Sequence, residues 1–229
     1  VPEEVIIGYD PAKRSDYGWV TVWYIIKWQL YIVEEYQIQG DYSIYQKEFI
    51  FNLEQKYIDK KIKVSVIIDA TMVGDVVAES FGAIIDHKLF YTGWSGTGWH
   101  PEMDKWGTWK FPKKNLVHMN QSLIDLKMLQ AFNTLEWLID ELKHFKAYET
   151  QSGNVRYEAV TGHDDIINAM MLCWFYFGFI AGNFHRISKE NTDEVRELRR
   201  NINPQTNLMY SFIWQRPTNP DNASNSYQF

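Results

Sequence analysis

The sequence predicts an α/β domain with a mixed central sheet flanked by helices. Two short apolar runs, Val5-Ile6-Ile7-Gly8-Tyr9-Asp10 and Val64-Ser65-Val66-Ile67-Ile68-Asp69, each read as a buried strand ending in an acid. Between them lie two strand-like segments and one stretch of helical period. A third observation is the apolar helix predicted late in the chain, over residues 166–180, which supplies a buried layer for the sheet.

The elements follow in order. After the first run, residues 18–26 and 30–38 are rich in β-branched and aromatic side chains, and the Lys27-Trp28-Gln29 break makes them consecutive antiparallel strands. Residues 41–60 carry Ile44, Ile50, Leu53, Tyr57 and Ile58 at helical spacing. The second acid-tipped strand is followed by a helix over 74–86 and a short strand over 88–91. Residues 93–112 hold Gly93, Gly96, Gly98 and Gly107 among tryptophans and read as a long loop or hairpin. Residues 115–129 place Leu116, Met119, Leu123, Leu126 and Leu129 along one helical stripe. A further helix spans 135–145, and residues 146–157 form a hairpin turning at Ser152-Gly153-Asn154. Thr161-Gly162-His163-Asp164-Asp165 then opens the apolar helix. The predicted division is a catalytic-type domain over 1–182 and an appendage over 183–229, made of a charged helix at 189–200 and an Asn/Pro-rich tail.

Composition narrows the function classes. The 229 residues are 45% hydrophobic and 16% aromatic, as in a globular chain. No apolar run approaches the roughly 18 residues that a bilayer span needs. The opening Val1-Pro2-Glu3-Glu4, without an initiator Met, predicts an excised domain lacking a signal peptide. The single cysteine, Cys173, excludes an internal disulfide. A formal net charge of −6 argues against tight autonomous binding of nucleic acid, so DNA binding by this chain alone is expected to be weak and salt-sensitive.

The chemistry rests on acids. Strand ends in an open α/β sheet lie along one edge, where Asp10 and Asp69 can approach shared cations. An acid from the 164–165 pair would complete a cluster able to hold two divalent ions, and hard oxygen donors without a Cys/His cluster favour Mg²⁺ or Mn²⁺. Taken singly, each acid has a plainer reading: Asp10 as a turn former before Pro11, Asp69 as a helix-start acid, Asp164 as part of a Thr161-x-x-Asp164 capping box. Adjacent helix positions point about 100° apart, so one of the pair is the direct ligand, and Asp165 is the expected one. Ala169 and Cys173, at four-residue steps from Asp165, would let that face pack closely on the sheet. Asp16 and Asp75 read as turn or helix-start residues, and the histidines other than His163 are too scattered to form a site.

Together these residues resemble the nuclease domain of viral large terminase subunits, especially those of tailed bacteriophages. The resemblance is carried by Ile7-Gly8-Tyr9-Asp10-Pro11-Ala12, by Ile67-Ile68-Asp69-Ala70-Thr71 with Gly74-Asp75, and by Phe111-Pro112-Lys113-Lys114-Asn115-Leu116. It continues through Asp140-Glu141-Leu142-Lys143-His144-Phe145 and Arg156-Tyr157-Glu158. It closes on Gly162-His163-Asp164-Asp165-Ile166-Ile167-Asn168-Ala169, its most specific part. The resemblance implies a ribonuclease H-like fold and two-metal cleavage of double-stranded DNA with little sequence preference. Asp10, Asp69 and Asp165 are then the metal-binding acids, assisted by Asp164 or His163. It also implies a neighbouring N-terminal ATPase motor, the capsid portal and the small terminase subunit as partners, and work in the host cytoplasm at the procapsid portal. No G-x-x-x-x-G-K-[ST] phosphate loop occurs in this chain, so translocation is not expected from it.

Lys110, Lys113 and Lys114 read as phosphate contacts, as do Lys13 and Arg14 beside the first acid; solvated loop charges are the alternative. The tryptophans of 93–112 read better as packing than as DNA contacts. His163 is placed to orient a water or meet a phosphate. Two other functions stay open: a Holliday-junction resolvase or transposase-like core on the same fold, and a non-cleaving module that docks a packaging motor on a portal.

Overall fold

The computed structural model describes residues 1–11, 17–27, 29–71, 81, 85, 88–94, 100–105, 107–125, 128–130, 135–149, 155–159, 164–181 and 226–228. A mixed eight-stranded sheet forms its centre. Strands β1 (Glu4–Asp10), β2 (Tyr17–Ile26) and β3 (Gln29–Gln39) form an antiparallel meander. A π-helical turn at Tyr42–Gln46 leads into helix α1 (Lys47–Ile58). The chain then returns as β4 (Lys63–Asp69), parallel to β1. The unbroken apolar sequences of β1 and β4 follow from this position, because central strands are covered on both faces.

Beyond β4 the sheet grows by β5 (Lys88–Trp94), parallel to β4, and β7 (Thr108–Pro112), parallel to β5. The two-residue strand β6 (Glu102–Met103) pairs antiparallel with β7. The segment expected as a loop or hairpin is therefore partly a sheet extension. The β6–β7 hairpin is present, but Gly93 belongs to β5 and residues 108–112 to β7. Parallel pairing with a strand some 18 residues earlier leaves no local signature, which is why glycine content outweighed it in the sequence.

Helix α2 spans Lys113–Asp125. Leu129, expected on its stripe, instead sits in β8 (Leu129–Gln130), parallel to β3. The Leu30 N–H donating to the Met128 carbonyl at 2.8 Å draws this segment to the sheet edge and out of helix. Helix α3 (Glu136–His144) and the antiparallel pair β9 (Phe145–Glu149) and β10 (Val155–Ala159) follow, as expected for the 146–157 hairpin. Helix α4 (Asp165–Phe175) ends in a π-helical turn at Tyr176–Ile180, and β11 (Ser226–Gln228) pairs with β9. The predicted 74–86 helix is described only at Phe81 and Ile85, and the 189–200 helix lies outside the described residues.

Strand side chains alternate between faces, and the sheet accordingly separates two apolar cores. On one face Val5, Ile7, Tyr9, Val64, Val66 and Ile68 pack with α1 residues Ile50, Leu53 and Tyr57 and with Phe81 and Ile85. On the other, Ile6, Trp23 and Ile67 meet α2, α3 and α4. Trp23 and Trp174 meet edge-to-face at 5.7 Å, and Phe175 packs on Tyr91 at 5.5 Å and Phe111 at 5.6 Å. Among the described residues, no helix is long and apolar enough to cross a membrane.

Candidate functional site

Register decides which carboxylates meet. Tyr9 pairs with Ile68 across the parallel β1–β4 ladder, so Asp10 and Asp69 are the next residues on adjacent strands. Ile6 and Ile67 face the α4 side, and two-residue alternation carries Asp10 and Asp69 to that same face. Helix α4 crosses there. Its fit depends on Gly8, where a Cβ would stand 2.0 Å from the Ala169 carbonyl oxygen and 2.7 Å from Cys173 Sγ. The expected small face of Ala169 and Cys173 is thus pressed directly on the β1 backbone.

Nine residues of α4 are buried, and only Asp165 and Asn168 keep partial exposure. Three positions apart, they share one side of the helix. The charge of Asp165 reaches Asp10, and the Asn168 side chain hydrogen-bonds to Asp10. Sequence reasoning passed over Asn168. Its signal was present, since Asn168 is the other polar residue of an otherwise apolar helix and lies at i+3 from the chosen acid.

Burial pushes the Asp10 carboxyl well above its ordinary range, and the charges of Asp69 and Asp165 push further; Asn168 and Lys113 oppose this. Burial also raises Asp69, against a hydrogen bond from the Thr71 amide to Asp69 Oδ1 at 2.7 Å and the charge of Lys113. A cluster of half-buried acids that resist ionising together is a donor set that a cation relieves. All its donors are hard oxygens, which suits Mg²⁺ or Mn²⁺. Among the described residues, no three His, Cys, Asp or Glu side chains already close into a metal-ligand group.

Asp164 occupies the N-cap position of α4 but makes no side-chain cap. The expected capping box needs Asp164 as the third residue of the helix, whereas the helix starts one residue after it. Lys113 takes its carboxylate instead, Nζ to Oδ2 at 3.0 Å. The free helix amides go to Glu141 of α3: the N–H groups of Ile166 and Ile167 donate to Glu141 Oε2 at 3.1 and 3.2 Å. Burial and the charges of Asp165 and Asp164 push the Glu141 carboxyl up to about 8, against those two hydrogen bonds.

Of the predicted phosphate contacts, Lys110 lies 3.5 Å from Asp104, Lys113 pairs with Asp164, and Lys114 is exposed on the first turn of α2. Trp109 packs on Phe175, in line with the packing reading of the tryptophans. Lys13, Arg14 and His163 lie outside the described residues, as do Asp16 and Asp75.

An antiparallel meander beside two parallel strands, with acids at the tips of the first and fourth strands and helices on both faces, defines the ribonuclease H-like fold. The chain belongs to the terminase RNase H-like domain family, whose model matches residues 7–176. Among solved structures, it is similar to the large terminase nuclease of thermophilic phage G20c with bound magnesium. That match has 24% identity and a TM-score of 0.60, over 74% of this chain and 79% of that one. The large terminase nuclease domain of Thermus phage P74-26 matches at 21% identity and a TM-score of 0.52, covering 76% and 80% of the two chains. A large terminase from another thermophilic bacteriophage matches at 13% identity and a TM-score of 0.53; there 78% of this chain covers only 41% of the longer one. None of the curated proteins matches the chain.

Proposed function

We propose that this chain is a metal-dependent endonuclease that cuts double-stranded DNA, with little sequence preference, during viral genome packaging. The observation that carries the reading is the register that sets Asp10 beside Asp69 on the face crossed by α4, with the charge of Asp165 reaching Asp10. Asp10, Asp69 and Asp165 would hold two Mg²⁺ or Mn²⁺ ions. Bound there, such ions supply charge stabilisation and water activation for in-line displacement at phosphorus. Asp10, which feels the charge of both other acids, would be one of the ligands, while Asn168 orients its carboxylate. Asp164, held by Lys113, or His163, its neighbour in sequence, is proposed to assist.

Lys110, Lys113, Lys114, Lys13 and Arg14 are proposed to meet the DNA backbone. With a net charge of −6 this grip is weak and salt-sensitive, so stable engagement falls to partners: an ATPase motor domain, the capsid portal and the small terminase subunit. Residues 1–182 form the nuclease unit in this reading and 183–229 an appendage, working at the procapsid portal in the host cytoplasm.

The test is plasmid cleavage with Mn²⁺, Mg²⁺ or a chelator, comparing the chain with its Asp69→Asn form. Metal-dependent cutting that disappears in the variant is expected. Cutting that persists in Asp69→Asn would remove the acid cluster from the mechanism. A Holliday-junction resolvase or transposase-like core would instead prefer branched over linear duplex. A non-cleaving portal-docking module would leave the plasmid intact under every metal.

A further inference from the structure

We infer that Glu141 is the positioning residue of the acid site, holding the first turn of α4 and with it Asp165 in place opposite Asp10. The inference rests on the nuclease reading above. Helix α4 opens without a local cap, since Asp164 is turned to Lys113. Its first amides need acceptors, and a helix start left without them costs stability and frays. One carboxylate oxygen from α3 takes both the Ile166 and Ile167 N–H groups. Ile166 is the residue after Asp165, so this bond pair fixes the peptide plane from which Asp165 projects.

The same device sets α3. Its N-cap residue, Leu135, has no side chain able to cap. Glu35 of β3 accepts the Trp137 and Leu138 amides at 3.2 Å each. Two successive helices are thus each seated by a carboxylate from another element, from β3 to α3 and from α3 to α4. The path runs from the central sheet to the third acid without relying on the loop before α4. A cap serving stability alone needs no such link to the sheet. The charges of Asp164 and Asp165 oppose ionisation of Glu141, while its Oε2 accepts both amides.

The test uses the full chain with Glu141→Ala and Glu141→Gln, and Tyr176→Phe as a destabilised control remote from the acids. Backbone hydrogen exchange without metal reads the cap itself. Ile166 and Ile167 are expected to exchange much faster in Glu141→Ala while Met170 and Met171 do not. Mn²⁺ titrations read the positioning. The Mn²⁺ concentration for half-maximal cleavage should rise about 10-fold or more in Glu141→Ala, as for other residues that orient a metal ligand. At saturating Mn²⁺ the turnover should return close to wild type, and Glu141→Gln, which keeps an acceptor oxygen, should recover most of the lost affinity. Equal Mn²⁺ requirement in all variants would overturn the inference. So would a loss shared by Tyr176→Phe. A wild-type chain that neither binds Mn²⁺ nor cuts would overturn the nuclease reading and this inference with it. If the wild type cuts and Glu141→Ala needs no more metal, only the inference fails.

Discussion

Replacing Gly8 with Ala tests whether α4 and β1 set the spacing of Asp10 and Asp165. The added Cβ would lie 2.0 Å from the Ala169 carbonyl oxygen, where ordinary contact begins near 3.4 Å. About 1.4 Å must therefore be made up, and the obstacle is helix backbone, which cannot rotate aside. Overpacking of this kind costs about 1–3 kcal/mol, and the backbone clash places Gly8→Ala near 3. For a chain of this size that lowers Tm by about 6–12 °C. The helix has to lift or slide, carrying Asp165 away from Asp10. A displacement near 1 Å at a reacting centre costs about 10²-fold in rate. Thermal unfolding and plasmid cleavage at saturating Mn²⁺ are the assays. Gly18→Ala is the contrast: its Cβ would meet Gln46 Oε1 at 2.2 Å, the end of a side chain on the other face. It should lower stability and leave cleavage per folded molecule unchanged. Wild-type Tm and wild-type cleavage in Gly8→Ala would refute the close-packing argument.

Two further outcomes follow from the site and its surroundings. Asp10, Asp69 and Glu141 all have raised carboxyls, the last to about 8, with burial the leading cause. The folded state then binds more protons than the unfolded chain, so in chelator the stability falls as pH rises from the ordinary carboxylate range toward about 8. Ions bind the deprotonated acids, so Mn²⁺ should flatten or reverse that slope; melting curves that are flat with pH in chelator would contradict the assignment. At the opposite end of the sheet, Tyr176 donates to Glu4 Oε1, Ser65 Oγ also donates there at 2.8 Å, and Lys63 pairs with Glu4 Oε2 at 2.9 Å. Tyr176→Phe leaves this carboxylate short of a donor and should cost about 1–3 kcal/mol by thermal unfolding, with cleavage unchanged.

The acids at the strand ends were legible because a short apolar run closed by an Asp is a local pattern. The apolar run of α4 was legible for the same reason, and so was its small face against β1. What escaped depended on contacts distant in sequence. Leu129 fits a helical stripe until the Met128 carbonyl is claimed by Leu30. Asp164 reads as an early helical residue until the fold makes it the N-cap, with Lys113 on its carboxylate and Glu141 on the helix amides. A charged residue whose partner lies 25 positions or more away looks like any solvated charge in the sequence. Asn168 is the exception, since its i+3 relation to Asp165 needed no tertiary knowledge.

The division of the interior by the sheet has a consequence for how this domain can change. The core under α1 contains none of the three acids, while the core under α4 carries the helix that presents one of them. Substitutions far apart and without shared partners combine additively, whereas neighbours couple. Losses at Ile50 or Leu53 should therefore sum with losses at Met170 or Met171 rather than compound them. The α1 side is the part of the molecule where stability can be raised or lowered freely, by drift or by design, while the distances among the carboxylates stay as they are.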